Sequence, residues 1–290
     1  MTTEVSSSGS PDLTSGTVVG PPPTKRFTWS SFITLGLPPL VFAAIVTGIL
    51  YLLREVVPER RKILVPQPHT VFTQTIGDTA TREELFEAFI NTTKVAFVGL
   101  AIAIALGVLF AVVMSQARLM EDAFFPWAVV IQTVPTLALV PLIGVWFGFG
   151  FKSRVIVAVL ISLFPIITNS LFGLKSVDRD LHDLFTLHDA SRFTRLWKLQ
   201  FPAAMPATFT GFRIAAGLSV IGAIVGEFFF GRGETGLGNL VNKYRGLVQI
   251  EELYATIIIS SVLGIAVFFT FGWLSRLVVG AWYESTGSER

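Results

Sequence analysis

Cysteine is absent from the 290 residues, which excludes a disulfide framework, a thiolate nucleophile and a zinc–thiolate centre. Charge is scarce too: Asp, Glu, Lys and Arg make up 14% of the chain against 52% hydrophobic residues, and the mean hydropathy is +0.66. A soluble domain of this length carries far more charge, so the chain reads as a polytopic membrane protein. The formal charge of +2 and the lack of a basic block with interleaved aromatics argue against nucleic acid as a partner. No G-x-x-x-x-G-K-[ST] loop occurs, so the chain carries no phosphate cradle of its own. Of the three histidines, His69, His182 and His188, the last two are six residues apart and off a common helical face, so no metal site is expected. Nor does any nucleophile stand with a base, so no catalytic residues are assigned and an intramembrane enzyme is the weakest reading.

What the chain does have is long uncharged runs. Residues 1–26 open with Ser, Thr, Gly and Pro and too few large apolar side chains to offset ordering, which predicts a disordered tail. Phe27 to Leu53 then forms a first span, entered or kinked at Pro38-Pro39; a cleaved signal peptide fits less well after so long a tail. The segment REELFEAFINTT places Glu83, Glu84 and Glu87 opposite Leu85, Phe86, Phe89 and Ile90, the pattern of a short helix lying along the membrane interface. Val95 to Ala117 is a second span, with Gly99 and Gly107 for close packing.

The third, Ala123 to Phe151, carries Pro126, Pro135 and Pro141 and should be a broken helix, with Gln132, Thr133 and Thr136 as polar groups for a path; Gln132 and Thr136 would share a face. Lys152 and Arg154 mark an outside turn before the fourth span, Val155 to Leu174, which contributes Asn169. The fifth, Ala207 to Phe230, holds Arg213 and Glu227. A charge at the bilayer centre costs about 3 kcal/mol, so each either snorkels to an interface or faces a polar path. Gly231 to Glu252 is a glycine-rich outer loop without a dinucleotide fingerprint, and Leu253 to Ser275 is the sixth span. Residues 27–283 thus form one membrane domain, followed by a tail at 284–290.

Asp178 to Pro206 interrupts this pattern. It opens acidic, closes with Arg192, Arg195 and Lys198, and carries Leu184, Phe185, Phe193, Leu196 and Trp197 at near-helical spacing. Two short helices are expected, Leu181 to His188 and Ala190 to Leu199, with Asp189 as N-cap of the second. The residue pattern alone leaves a partner-docking element and a solvated connector both open.

Here the sequence resembles the permease subunits of binding-protein-dependent ABC importers, whose loop signature is E-A-A, three residues, G, nine residues, I-x-L-P. This chain supplies Asp183, Leu184 and Phe185, then Asp189, then Leu199, Gln200, Phe201 and Pro202. Asp183 keeps the charge, and Asp189 is a residue type that tolerates a left-handed corner, whereas Leu184 and Phe185 are bulkier than alanine. Over residues 33 to 283, VPTLALVPLIGVWFGFG, PAAMPATFTGFRIAAG, GEFF and TGLGNLV look most like the branch handling nitrate, sulfonate, taurine and pyrimidine-type solutes.

The resemblance implies an all-α, polytopic fold of the type I ABC importer permease, with about six transmembrane helices. It implies a non-catalytic subunit of the bacterial inner membrane, embedded in lipid and paired with a second permease copy. It further implies an ABC ATPase dimer that carries ATP and Mg, no cofactor in this chain, and an extracytoplasmic substrate-binding protein. Asp183, Leu184, Phe185, Asp189, Arg192, Trp197, Leu199, Phe201 and Pro202 would then couple to the ATPase. Gln132, Thr133, Thr136, Asn169, Arg213 and Glu227 would be path candidates, and Gly222 and Gly226 would allow close helix contacts. Lys and Arg divide almost evenly between the two sides, so a cytoplasmic loop follows from the resemblance and not from charge. The rival, a self-sufficient channel or secondary transporter, would use Arg213 and Glu227 as its own site and has no need of the loop.

Overall fold

The computed structural model describes residues 29–283, so the expected tails, 1–26 and 284–290, lie outside the described residues. The chain divides between Ile49 and Leu50 into two units. Helix α1, Trp29–Val56, continues through Pro38 and Pro39 and covers most of the first expected span. The second unit is all-helical among the described residues: α2 (Pro68–Gly77), α3 (Thr79–Gln116), α4 (Arg118–Thr133), α5 (Thr136–Phe147), α6 (Phe151–Lys175), α7 (Arg179–Leu187), α8 (Arg192–Arg195), α9 (Phe201–Phe229), α10 (Leu237–Leu247) and α11 (Ile250–Tyr283). Four helices here are long and apolar enough to cross a membrane, and the bent pair α4–α5 counts as a fifth if its two halves form one span.

The interface helix expected at REELFEAFINTT does not exist as a separate element. Those residues are the first turns of α3, a single 38-residue helix. At 1.5 Å per residue it is about 57 Å long, far more than the roughly 30 Å of hydrocarbon, so its amphipathic start stands out of the membrane as a continuation of the span. Asp78 caps it, accepting from the Thr81 backbone N–H at 3.1 Å. These bonds hold the Asp78 carboxyl below its ordinary range, the Thr81 hydroxyl contributing most.

Of the three prolines in the next apolar stretch, only one breaks the chain. Pro126 and Pro141 sit inside α4 and α5, while Val134, immediately before Pro135, is driven to φ −65°, ψ 128° and the two helices meet at 98°. Steric conflict between a proline ring and the preceding residue disfavours the helical region there. Because the bend falls between them, Gln132 and Thr136 no longer share a helical face.

The centre is the antiparallel pair α6 and α9. A Cβ on Gly211 would lie 2.8 Å from the Pro165 carbonyl oxygen, one on Gly222 2.6 Å from Ala158 Cα, and one on Gly226 3.0 Å from Arg154 Cα. The partners descend along α6 as the glycines ascend along α9, so the two backbones touch over several turns. Gly222 and Gly226 therefore serve packing within one chain. Gly99 and Gly107 bring α3 equally close, to Ala158 and Ile166. Around this seam the main core gathers Leu100, Ile166, Val220, Leu237, Leu240 and Leu263 from five helices.

Candidate coupling loop and translocation path

Local chemistry builds the loop. α7 ends in a Schellman closure: Ala190 N–H donates to the Phe185 carbonyl and Asp189 N–H to the Thr186 carbonyl, both at 3.0 Å, with Asp189 left-handed at φ 49°. Asp189 thus stands where glycine most often closes such a motif. The expected cap is corrected: Ser191, not Asp189, caps the second helix, its hydroxyl accepting from Thr194 N–H at 3.2 Å. A left-handed residue closing α7 stands too early in the chain to cap a helix that begins at Arg192.

From Arg192 the chain runs on as one 38-residue helix to Phe229. It widens to a π turn at Leu196–Gln200, just ahead of Pro202, whose missing N–H and ring bulk deny a normal α turn. Along it Phe193 lies tilted against Trp197, and Trp197 stacks on Phe201, at 6.1 and 5.2 Å between ring centroids. Arg195 ties the two arms by donating to the Thr186 hydroxyl at 3.0 Å.

None of α7, α8 or the π turn has a fully buried residue. Leu184 (48% exposed), Leu187 (82%), Phe193 (70%) and Trp197 (54%) are exposed apolar side chains on the two arms, Asp183 and Arg192 are exposed as well, and Phe185, Leu199, Phe201 and Pro202 are half-buried. Isolated exposed hydrophobes are ordinary, but this density on so short an element marks a surface meant to be covered.

The path candidates lie apart. Gln132 and Thr133 are exposed at the end of α4, Thr133 donating to the Val130 carbonyl, and Thr136 opens α5. Asn169 donates to the Pro165 carbonyl at 2.8 Å. Arg213 is half-buried, its guanidinium 4.1 Å from the centroid of the Phe268 ring. Among the described residues no hydrogen bond or ion pair joins any two of these six positions.

Glu227 does not reach an interface: it is 0% exposed and accepts from the Thr92 hydroxyl at 2.8 Å and from Gly238 N–H at 3.0 Å. Arg154, expected in an outside turn, is 3% exposed and donates to the carbonyls of Phe230, Arg232 and Glu234. The turn is shorter than expected, ending at Gly150, so Arg154 falls in the first turn of α6 and faces inward. The outer loop is likewise a helix, α10, whose Leu237, Leu240 and Tyr244 are buried. Tyr244 donates to Glu84 at 2.9 Å, and burial together with that carboxylate raises its phenol well above the ordinary range. The sequence held one clue to this cluster, the polar run Asn91-Thr92-Thr93 in an apolar helix, and none to its partners.

Residues 103–280 match the family of binding-protein-dependent transport system inner membrane components. The chain belongs to this family. The formylaminopyrimidine transport permease protein ThiX of Halalkalibacterium halodurans is 36% identical over 217 residues, 74% of this permease and 85% of that protein. The putative aliphatic sulfonates transport permease protein SsuC of Bacillus subtilis is 27% identical over 245 residues, 84% of each chain. Among solved structures, a chain of the MetNI methionine ABC transporter in an inward-facing conformation aligns with a TM-score of 0.52 at 17% identity, over 68% of this permease and 94% of that chain. This last likeness concerns the fold alone, which is that of a type I ABC importer permease. The permease is a multi-pass membrane subunit of a binding-protein-dependent ABC importer.

Proposed function

We propose that the permease forms, with a second copy of itself, the passage through which a small solute of the nitrate, sulfonate, taurine or pyrimidine kind enters a bacterium across the inner membrane. A separate ATPase dimer, holding ATP and Mg, drives it, and an extracytoplasmic binding protein delivers the solute. Its similarity to permease proteins for formylaminopyrimidine and aliphatic sulfonates, and to the nitrate import permease protein NrtB of Synechocystis at 27% identity over 195 residues, supports this range of solutes.

The observation that carries the coupling role is the α7–α8 corner. Its left-handed Asp189 holds two short arms at a fixed angle while Leu184, Leu187, Phe193 and Trp197 stay uncovered by the chain's own core. An apolar helix face laid into a groove of the ATPase would bury them, and the continuous helix from Arg192 would carry the resulting push into the centre of the fold. Gln132, Thr133, Thr136, Asn169 and Arg213 are the groups we assign to the path; Glu227, with no exposed surface, we assign to packing at the outer end of α9.

The test is purification of the tagged chain in mild detergent with identification of what accompanies it. An ATPase and a binding protein are expected, and the ligand of the binding protein names the solute. A lone oligomer that conducts without nucleotide would favour the channel reading instead.

A further inference from the structure

The end of α9 opposite the coupling loop closes in a polar knot that the path does not need. The Glu227 carboxylate receives Thr92 from α3 and the backbone N–H of Gly238 in the first turn of α10, and Leu237 N–H donates to the same Thr92 hydroxyl at 2.8 Å. Asn239 donates to the carbonyls of Glu227 and Phe230. Gly236 and Gly238 gain an explanation here: a Cβ on the first would meet the Glu227 carboxyl, and one on the second the Ile224 carbonyl and Glu227 Cβ. The far end of α10 is held as well, Lys243 and Tyr244 both donating to Glu84 of α3.

We propose that Glu227 is a positioning residue of an outer latch, which binds α10 to α3 and α9 so that the three move as one block during transport. This inference rests on the importer reading. A carboxylate at a helix N-terminus is favoured by the dipole and by charge-assisted bonds, and losing it strands a buried donor. To open by itself, α10 would have to break its bonds at both ends and expose Leu237 and Leu240 together. Movement is cheaper in the α4–α5 arm, where Ala128, Val140, Ile143 and Gly144 are the fully buried residues and the Val134-Pro135 break supplies a hinge.

The absence of cysteine allows a direct test by spin labelling of the complete ATPase complex in nanodiscs. Labels go at exposed Glu87→Cys on α3 and Gly246→Cys on α10, a glycine with open space around it. Their distance is read by electron paramagnetic resonance without nucleotide and after trapping with ATP and vanadate. The expected result is one narrow distribution that shifts by less than about 2 Å between the two states. With Glu227→Ala, or Thr92→Val should the first fail to assemble, the distribution should broaden and become state-dependent. A larger shift in the unsubstituted latch, or variants as narrow and static as it is, overturns the proposal. A second pair, Leu119→Cys on α4 and the exposed Phe172→Cys on α6, reports whether nucleotide moves the chain at all, and so tests the importer reading separately.

Discussion

At the scale of single residues, two carboxylates show how much local bonding decides. Asp189 holds φ 49°, a region that penalises any Cβ. Asp189→Gly should therefore leave the corner intact, while Asp189→Val should destabilise it by about 1 to 2 kcal/mol. Co-purification of the ATPase with each variant checks this: the glycine chain should retain the ATPase and the valine chain should lose most of it. Asp78 has its carboxyl lowered by the bonds from Thr81. A depressed carboxylate contributes its stability above the unfolded pKa and surrenders it as pH falls through the lower folded value. Thermal melts of the unsubstituted chain should therefore lose ground to Asp78→Asn only in the acidic range, and the difference should be flat around neutral pH.

At the scale of elements, prolines and glycines set the architecture by opposite means. Pro135 breaks a span because its ring forces Val134 out of the helical region; Pro126 and Pro141, one inside each half, do not. Pro135→Ala should let α4 and α5 approach a straight helix, with complex assembly retained and solute uptake reduced at least tenfold in a reconstituted system, equivalent to about 1.4 kcal/mol. Glycines act by letting backbones touch. A leucine at position 222 would meet Ala158 Cα where a Cβ already lies at 2.6 Å. Overpacking of that kind typically costs about 1 to 3 kcal/mol, and here the obstacle is backbone. Gly222→Leu should accordingly lower the melting temperature of the detergent-purified chain, whereas Gly48→Leu, with open space at its Cβ, should not.

At the scale of the whole molecule, the long helix from Arg192 to Phe229 joins an uncovered surface at one end to a buried latch at the other. About 57 Å separates its ends, enough to cross the membrane with turns to spare. In the proposed coupling, a push at Trp197 would reach the α6–α9 seam along one continuous helix. Trp197→Ala should weaken association with the ATPase by a factor on the order of 30, the loss expected of an aromatic anchor worth about 2 kcal/mol. Titration of purified ATPase against permease in nanodiscs measures it. Leu119→Ala, equally apolar and exposed but outside the loop, should leave the affinity unchanged.

Much of this is legible in the amino-acid sequence. Long uncharged runs announce membrane helices because hydrocarbon tolerates no unpaired backbone, whereas the loop from Asp183 to Pro202 was legible through its resemblance to the permease signature, helical spacing alone leaving a solvated connector open. The broken third span also followed from its prolines. What the sequence alone could not supply was the fate of isolated polar residues. Arg154 reads as a turn residue and Glu227 as a snorkelling or path charge, since each sits within reach of an interface. Their partners, the carbonyls of Phe230, Arg232 and Glu234 for one and Thr92 and Gly238 for the other, include groups from distant helices and backbone groups that carry no side-chain signal. Helical periodicity says which way a residue faces. Only the packing of α3, α6, α9 and α10 around one point decided what it faces, because a buried charge is stable only where several separate segments bring their donors and acceptors to it.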